Sequence, residues 1–374
     1  MKRRLFTAIL FVVAFYSCSN VFAKEAQEQK QETSVTPNPP CVYFDGRPSP
    51  TLRLEAVDSG RLLKHGDGPA NCDINGMREA SAFEHEGRYY LYYDGCGANG
   101  WLACLATSTD FLIWTKQGPK MTFGEPGEDD SGTATSPWFF DDGKTWHMFY
   151  VGCRTTTPPP DLIPATPYFT LKARADSPAG PWTKQKDVVP FRTTPGTYNS
   201  DTASPGFVVK NEDEFLMFYS AATGPPYKRT LAIARTRDLN GPWQVASEPL
   251  FSIEEQIENS TLYFEPANQT WFLFTNHIGI NEQGLEYTDA VWVYWSQNLE
   301  DWNSDRKAVV LDGCNCTWSK ACIGMPTVVK VGNRLALFYD APGGDDIGHM
   351  RRDIGLAWLN LPLIPPKEVD NINM

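Results

Sequence analysis

Apolar and polar residues alternate in short runs along most of the chain, and the runs are punctuated by Gly, Pro, Asn and Asp. A period of two marks strands with one buried face. One hairpin pattern recurs five times: a small or Pro-containing entry, an apolar strand, a polar turn and an aromatic-rich strand. The copies are EASAFEHEGRYYLYYDG from Glu79, SPWFFDDGKTWHMFYVG from Ser136, SPGFVVKNEDEFLMFYS from Ser204, ENSTLYFEPANQTWFLFTN from Glu258 and MPTVVKVGNRLALFYDA from Met325. The turns His85-Glu86-Gly87, Asp142-Gly143 and Val331-Gly332-Asn333 have hairpin chemistry. After each of the first four copies comes a third alternating strand, a polar turn and a Trp: Trp114, Trp182, Trp243 and Trp302. A fifth third strand, IGLAWLNLP, is truncated. Few segments hold a helical period.

Antiparallel repeats of roughly 50–70 residues bury their faces by stacking radially, which leaves only short edges. The expected fold is therefore all-β, a five-bladed β-propeller over residues 50–365. The segment TLRLEAVDSG (51–60) is the candidate strand that closes the last blade. A β-sandwich would leave five copies of one motif unexplained.

Composition changes the picture at the N-terminus. Lys2, Arg3 and Arg4 precede an apolar run too short to span a bilayer, and Val21-Phe22-Ala23 resembles a cleavage site. Residues 1–23 are expected to be a signal peptide cleaved after Ala23, which makes the protein exported, to the periplasm or outside the cell. Residues 24–40 read as a disordered linker and 41–374 as the propeller catalytic domain. A net charge of −12 argues against nucleic acid or an anionic membrane as partner and is compatible with an oligosaccharide or polysaccharide. No later segment is long and apolar enough for membrane insertion. The eight cysteines after the leader can pair fully as disulfides in an oxidising compartment, with connectivity open. Cys314, Cys316 and Cys322 are spaced like part of a zinc cluster but have no histidine beside them, so no metal is assigned.

In a propeller, residues entering the first strands converge on one channel mouth. Aligned on the strand anchor, the entry residues are Glu79, Ser136, Ser204, Glu258 and Met325. Neither glutamate is needed for strand formation. Two carboxyl groups across a small cavity are the minimal apparatus of glycoside hydrolysis, one protonated as acid and one ionised as base or nucleophile. Asp201 is the candidate third acid that separates their pKa values. Solvated rim charges are the plain alternative.

These residues resemble the five-bladed glycoside hydrolases of families 43, 62, 32, 68, 117 and 130, with family 43 the most similar in motif. Glu79-Ala80 before Tyr89-Tyr90-Leu91 is similar to the context of that family's base. Glu258-Asn259-Ser260-Thr261-Leu262 is similar to that of its acid, and Ser108-Thr109-Asp110 through Trp114 to its third-strand motif. The resemblance implies Glu79 as base, Glu258 as acid and an inverting mechanism. Three departures stand out. The family has Asp where Glu79 stands, its tuning Asp is replaced by Ser204 with Asp201 nearby, and the Asn-Asp-Pro-Asn motif of family 32 is absent.

Further candidates for substrate binding are Arg78, Ser136, Ser204, Trp138 and His349. Arg78 either orients Glu79, binds a sugar hydroxyl or is a surface arginine. Trp138 either stacks on a sugar or packs in the core. His349 is a site residue or a loop residue, and with Asp345 and Asp346 it is the candidate holder of a structural cation in the channel; no other cofactor is expected. The insert TTTPPPDLIPATPYF (155–169) is either a rim loop over the channel or plain surface. A non-catalytic sugar-binding propeller and a family-130-like phosphorylase are the alternatives. Phosphorolysis needs a basic pocket, for which the sequence offers only Arg351-Arg352. A propeller scaffold for protein partners is a third.

Overall fold

The computed structural model describes residues 41–367 except 161, 282 and 284. The expected leader and linker lie outside these residues. The described part is all-β, twenty strands with two three-residue 3-10 turns, and none of its helices could cross a membrane.

The strands form antiparallel meanders of four. Strand β1 (Val57–Leu63) pairs with β20 (Asp353–Asn360), which continues through β19 (Arg334–Ala341) to β18 (Gly324–Val331). The expected closing strand is therefore present, supplied by the N-terminal segment a few residues later than its first residue implied. The first hairpin copy gives β2 (Met77–His85) and β3 (Arg88–Gly97), followed by β4 (Gly100–Ser108) and β5 (Thr115–Pro119). The second gives β6 (Thr133–Asp141), β7 (Trp146–Cys153), β8 (Phe169–Ala175) and β9 (Thr183–Lys184). These two meanders are joined into one eight-stranded sheet by a single parallel pair, Leu102 with Ala134. The third meander is β10 (Thr202–Asn211), β11 (Glu214–Ala222), β12 (Arg229–Thr236) and β13 (Gln244–Val245). The fourth is β14 (Ile257–Glu265), β15 (Thr270–Ile280), β16 (Glu286–Ser296) and β17 (Lys307–Leu311).

The core lies between meanders. Each recurrent Trp packs on the second strand of the preceding unit: Trp182 on Tyr92, Trp243 on Phe149, Trp302 on Phe218 and Trp114 on Phe338. Their recurrence is therefore structural. A strand edge without its own buried face gains one by receiving the neighbour's indole.

A bulge recurs in the first strand of every meander. Arg78 pairs with Asp94, Thr135 with Val151, Ser204 with Ser220, Glu258 with Asn276 and Gly324 with Asp340. The next pairs, beginning at Ser81, Trp138, Phe207, Thr261 and Thr327, are three residues on along the first strand but two back along the second. One extra residue is thus accommodated at the same place five times. The residue at the bulge has positive φ in four copies: Glu79 (52°), Ser136 (46°), Asn259 (60°) and Met325 (56°). The third copy has Pro205 there instead, followed by Gly206, where a Cβ would lie 1.6 Å from the Phe218 carbonyl oxygen.

The bulges are held by the preceding unit. The N–H of Glu79 donates to Asp340 (2.7 Å), that of Ser136 to Asp94 (2.6 Å), that of Asn259 to Ser220 (2.9 Å) and that of Met325 to Asn276 (3.2 Å). The corresponding residue of the second meander is Val151, and the bulge residue it would serve is Pro205, which has no N–H to donate. An apolar partner stands where no donor needs satisfying.

This register corrects the alignment of the five entry residues. Glu79, Ser136 and Met325 share one position, with Pro205 and Asn259. Ser204 and Glu258 sit one residue earlier, level with Arg78, Thr135 and Gly324. Glu258 is thus the counterpart of Arg78, and the counterpart of Glu79 is Asn259.

The cysteine expectation is corrected in part. One disulfide, Cys41–Cys314, ties the N-terminal segment to the fourth meander, while Cys72, Cys96, Cys104, Cys153, Cys316 and Cys322 are buried thiols. Cys316 lies against the Tyr339 hydroxyl and Cys322 against Arg352 and Thr288, so the CxC group is dispersed.

Candidate active site

In a regular strand, neighbouring side chains point to opposite faces. A bulge re-aims one of them. Arg78 and Glu79 therefore both line one small cavity, and so do Thr135 and Ser136, Ser204 and Pro205, and Glu258 and Asn259. Met325 of β18 completes the set. All five expected entry residues reach this cavity despite their unequal register. The remaining lining comes from Val151, Pro164, Tyr168, Thr202, Ser220 and Arg229.

Both glutamates are mostly enclosed, with side-chain exposures of 18% for Glu79 and 16% for Glu258. Glu258 Oε2 lies 3.1 Å from an Arg229 nitrogen, and the same guanidinium reaches Glu286 at 2.7 Å. Burial pushes the Glu258 carboxyl above its ordinary range; Glu79 and Glu286 push the same way, while Arg229 and Arg78 oppose. Beneath Glu79 lie two further buried carboxyls. Burial, with Glu79 adding to it, raises Asp94 well above the usual carboxylate range and raises Asp340. Asp94 accepts from the N–H and hydroxyl of Ser136, and Asp340 pairs with the fully buried Arg352 at 2.8 Å.

Asp201 does not join the glutamates. It precedes Thr202, which faces the cavity, and its backbone holds the rim: its N–H donates to Ala222 and its carbonyl accepts from Tyr168. Trp138 is buried, edge-on to Phe207, and lines a smaller adjoining cavity with Glu79 and Ser136. Of the two readings of the insert, the rim is favoured: it contributes Pro164 and Tyr168 to the cavity lining, and the Tyr168 hydroxyl donates to the Pro164 carbonyl.

His349 is pushed down to about 3, by burial first and then by Arg352, Arg78 and Arg229. It is a neutral imidazole at working pH. Three guanidinium groups around it are the wrong setting for a channel cation, and Asp345 and Asp346 are exposed. Among the described residues, the group close enough to share a metal is Cys41, Asp312 and Cys314, whose two sulfurs are bonded to each other.

The sequence reading missed Arg229, Glu286 and Tyr168. Arg229 opens a third strand and Tyr168 closes a loop, so neither lies in the aligned entry positions. It also found no basic cluster, because Arg78 and Arg229 come from different meanders. The polar residues Asp94, Ser220 and Asp340 did leave a signal, since each follows a pair of aromatics in the second strand of its repeat, while Asn276 follows Phe274-Thr275.

No protein-family model matches the chain, and no curated protein matches it in sequence. Solved structures do match in fold. A structure described as a complex of BT0996 and RGII aligns over 83% of this chain and 96% of its own, with TM-score 0.64 and 15% identity. Zg3597, a family 117 glycoside hydrolase from the marine bacterium Zobellia galactanivorans, aligns over 84% and 93%, with TM-score 0.59 and 15% identity. The catalytic domain of a GH62 α-L-arabinofuranosidase from Coprinopsis cinerea aligns over 82% and 96%, with TM-score 0.55 and 14% identity. The likeness is one of fold: the chain shares the all-β architecture of these solved structures.

Proposed function

We propose that this chain is an exported glycoside hydrolase built as a five-bladed β-propeller, with Glu258 as general acid and Glu79 as general base of an inverting reaction on plant or algal glycans. The meeting of Glu79 and Glu258 carries this reading. They come from β2 and β14, far apart in sequence, and face one cavity in unequal surroundings. Burial and two neighbouring carboxylates favour the protonated form of Glu258, the state that can hand a proton to a leaving oxygen. The base activates water on the opposite face of the ring. Five bulged meanders, four of them held by a hydrogen bond from the one before, support the blade count. The basic leader and the Cys41–Cys314 disulfide support export.

The test is product release from purified arabinan, xylan and algal oligosaccharides, followed by mass spectrometry, with Glu258→Gln alongside. Release by the wild type alone supports the reading. Silence from both points to a sugar-binding propeller, and equal release by both removes Glu258 from the chemistry. A phosphorylase reading is favoured by one observation, the two arginines at the cavity. It predicts a sugar phosphate as product when inorganic phosphate is added.

A further inference from the structure

We infer that the sugar held between Glu79 and Glu258 carries an anionic group, a carboxylate or a sulfate ester, and that Arg78 receives it. This rests on the hydrolase reading for the position of the sugar and names its substrate class.

Arg78 is 7% exposed, and its Nε is buried without a hydrogen-bond partner. Among the described residues its ion-pair neighbour is Glu79, at 3.6 Å, beyond hydrogen-bond reach. Burying a guanidinium with unused donors is costly unless something pairs with it. The other arginines nearby are already engaged: Arg229 with Glu258 and Glu286, Arg352 with Asp340 and the Gly348 carbonyl. The Nε of Arg229 is also without a partner, but its terminal nitrogens are paired, whereas Arg78 has, among the described residues, no carboxylate within hydrogen-bond reach.

Its orientation is set from behind. The guanidinium carbon lies 4.4 Å from the ring centre of Trp101, which is fully buried and donates its own N–H to the Leu162 carbonyl at 2.9 Å. With one face stacked, the edge of the guanidinium is what remains for the cavity that Arg78 lines. That edge is a rigid fork that matches a carboxylate or sulfate with two parallel bonds, and a neutral hydroxyl matches it less well.

The experiment is calorimetry on full-length Glu258→Gln protein in phosphate-free buffer. The ligands are matched pairs: galacturonate and galactose, glucuronate and glucose, and a 6-sulfated hexose with its parent. At least one anionic member should bind about tenfold or more tightly than its neutral partner, the gain expected of one charge-assisted contact. Adding Arg78→Met, which keeps an unbranched chain over Trp101, should erase that gap and leave the neutral partner unchanged. Arg78→Lys should restore part of it. Which pair shows the gap tells a carboxylate from a sulfate. Equal binding within every pair, a gap that survives Arg78→Met, or inorganic phosphate as the only ligand that Arg78→Met loses would each overturn the inference. Hydrolysis of neutral glycans with no anionic preference sinks this inference and spares the hydrolase. An Arg78-dependent preference without bond cleavage does the reverse.

Discussion

Glu258 is where residue-scale chemistry is most exposed to test. Replacing it with Gln removes the proton donor and keeps the shape, so turnover on unactivated substrates should fall by about 10²–10⁴-fold while the thermal midpoint barely moves. Its carboxyl is held above the ordinary range by burial. An acid must be protonated to act, so activity should be present below that raised value and lost as pH climbs through it. Arg229 opposes the shift. Arg229→Met should therefore move the falling limb of the kcat/KM profile to higher pH; a limb that stays put or moves down would mean another group sets it. Both glutamates were legible in the sequence, because a charged residue at the mouth of an apolar strand serves no folding purpose. Asp201 was equally conspicuous and misplaced, because proximity in sequence to an entry residue does not say which way a side chain turns.

At the scale of the element, the bulge is the unit that builds the site. It gives four of the five first strands two consecutive cavity-facing residues, at the cost of positive φ on residues as unsuited to it as Glu79 and Met325. The hydrogen bond from the preceding unit offsets that strain. Removing it should be measurable by urea unfolding. Ser220→Ala orphans the Asn259 N–H and should cost about 1–3 kcal/mol. Asp340→Ala also strands the Arg352 charge and should cost about 3–5 kcal/mol. Equal, negligible losses would mean that the bulges hold themselves. Trp243→Ala, which empties the contact on Phe149, should cost about 3–5 kcal/mol. The repeats, their turns and the structural Trp series could be read directly from the chain. The one-residue offset between Glu79 and Glu258 could not, because a bulge adds a residue without disturbing the apolar pattern on either side of it.

Across the whole molecule, the N-terminal segment acts as a strap. Tyr43, Ser49 and Arg53 converge on Asp312, Arg47 reaches the buried Asp289, and Cys41 is bonded to Cys314. Beyond it, β1 completes the last meander. The disulfide joins residues 273 apart in sequence, so Cys314→Ser should lower stability by about 2–4 kcal/mol under non-reducing conditions. Wild type in reductant should lose a similar amount. A midpoint insensitive to both would show that the strap is held by its polar contacts alone.

Alternation, turn residues and fivefold repetition are local properties, and they were enough to determine an all-β chain of antiparallel units and to single out two glutamates at strand entries. Pairing register, the path of the rim loop, the convergence of Arg78 and Arg229, and the choice of one cysteine pair among many were decided only in three dimensions. Each depends on the distance or direction between segments remote in sequence. A bulge can turn a side chain from one face to the other without leaving a trace in the hydrophobic pattern.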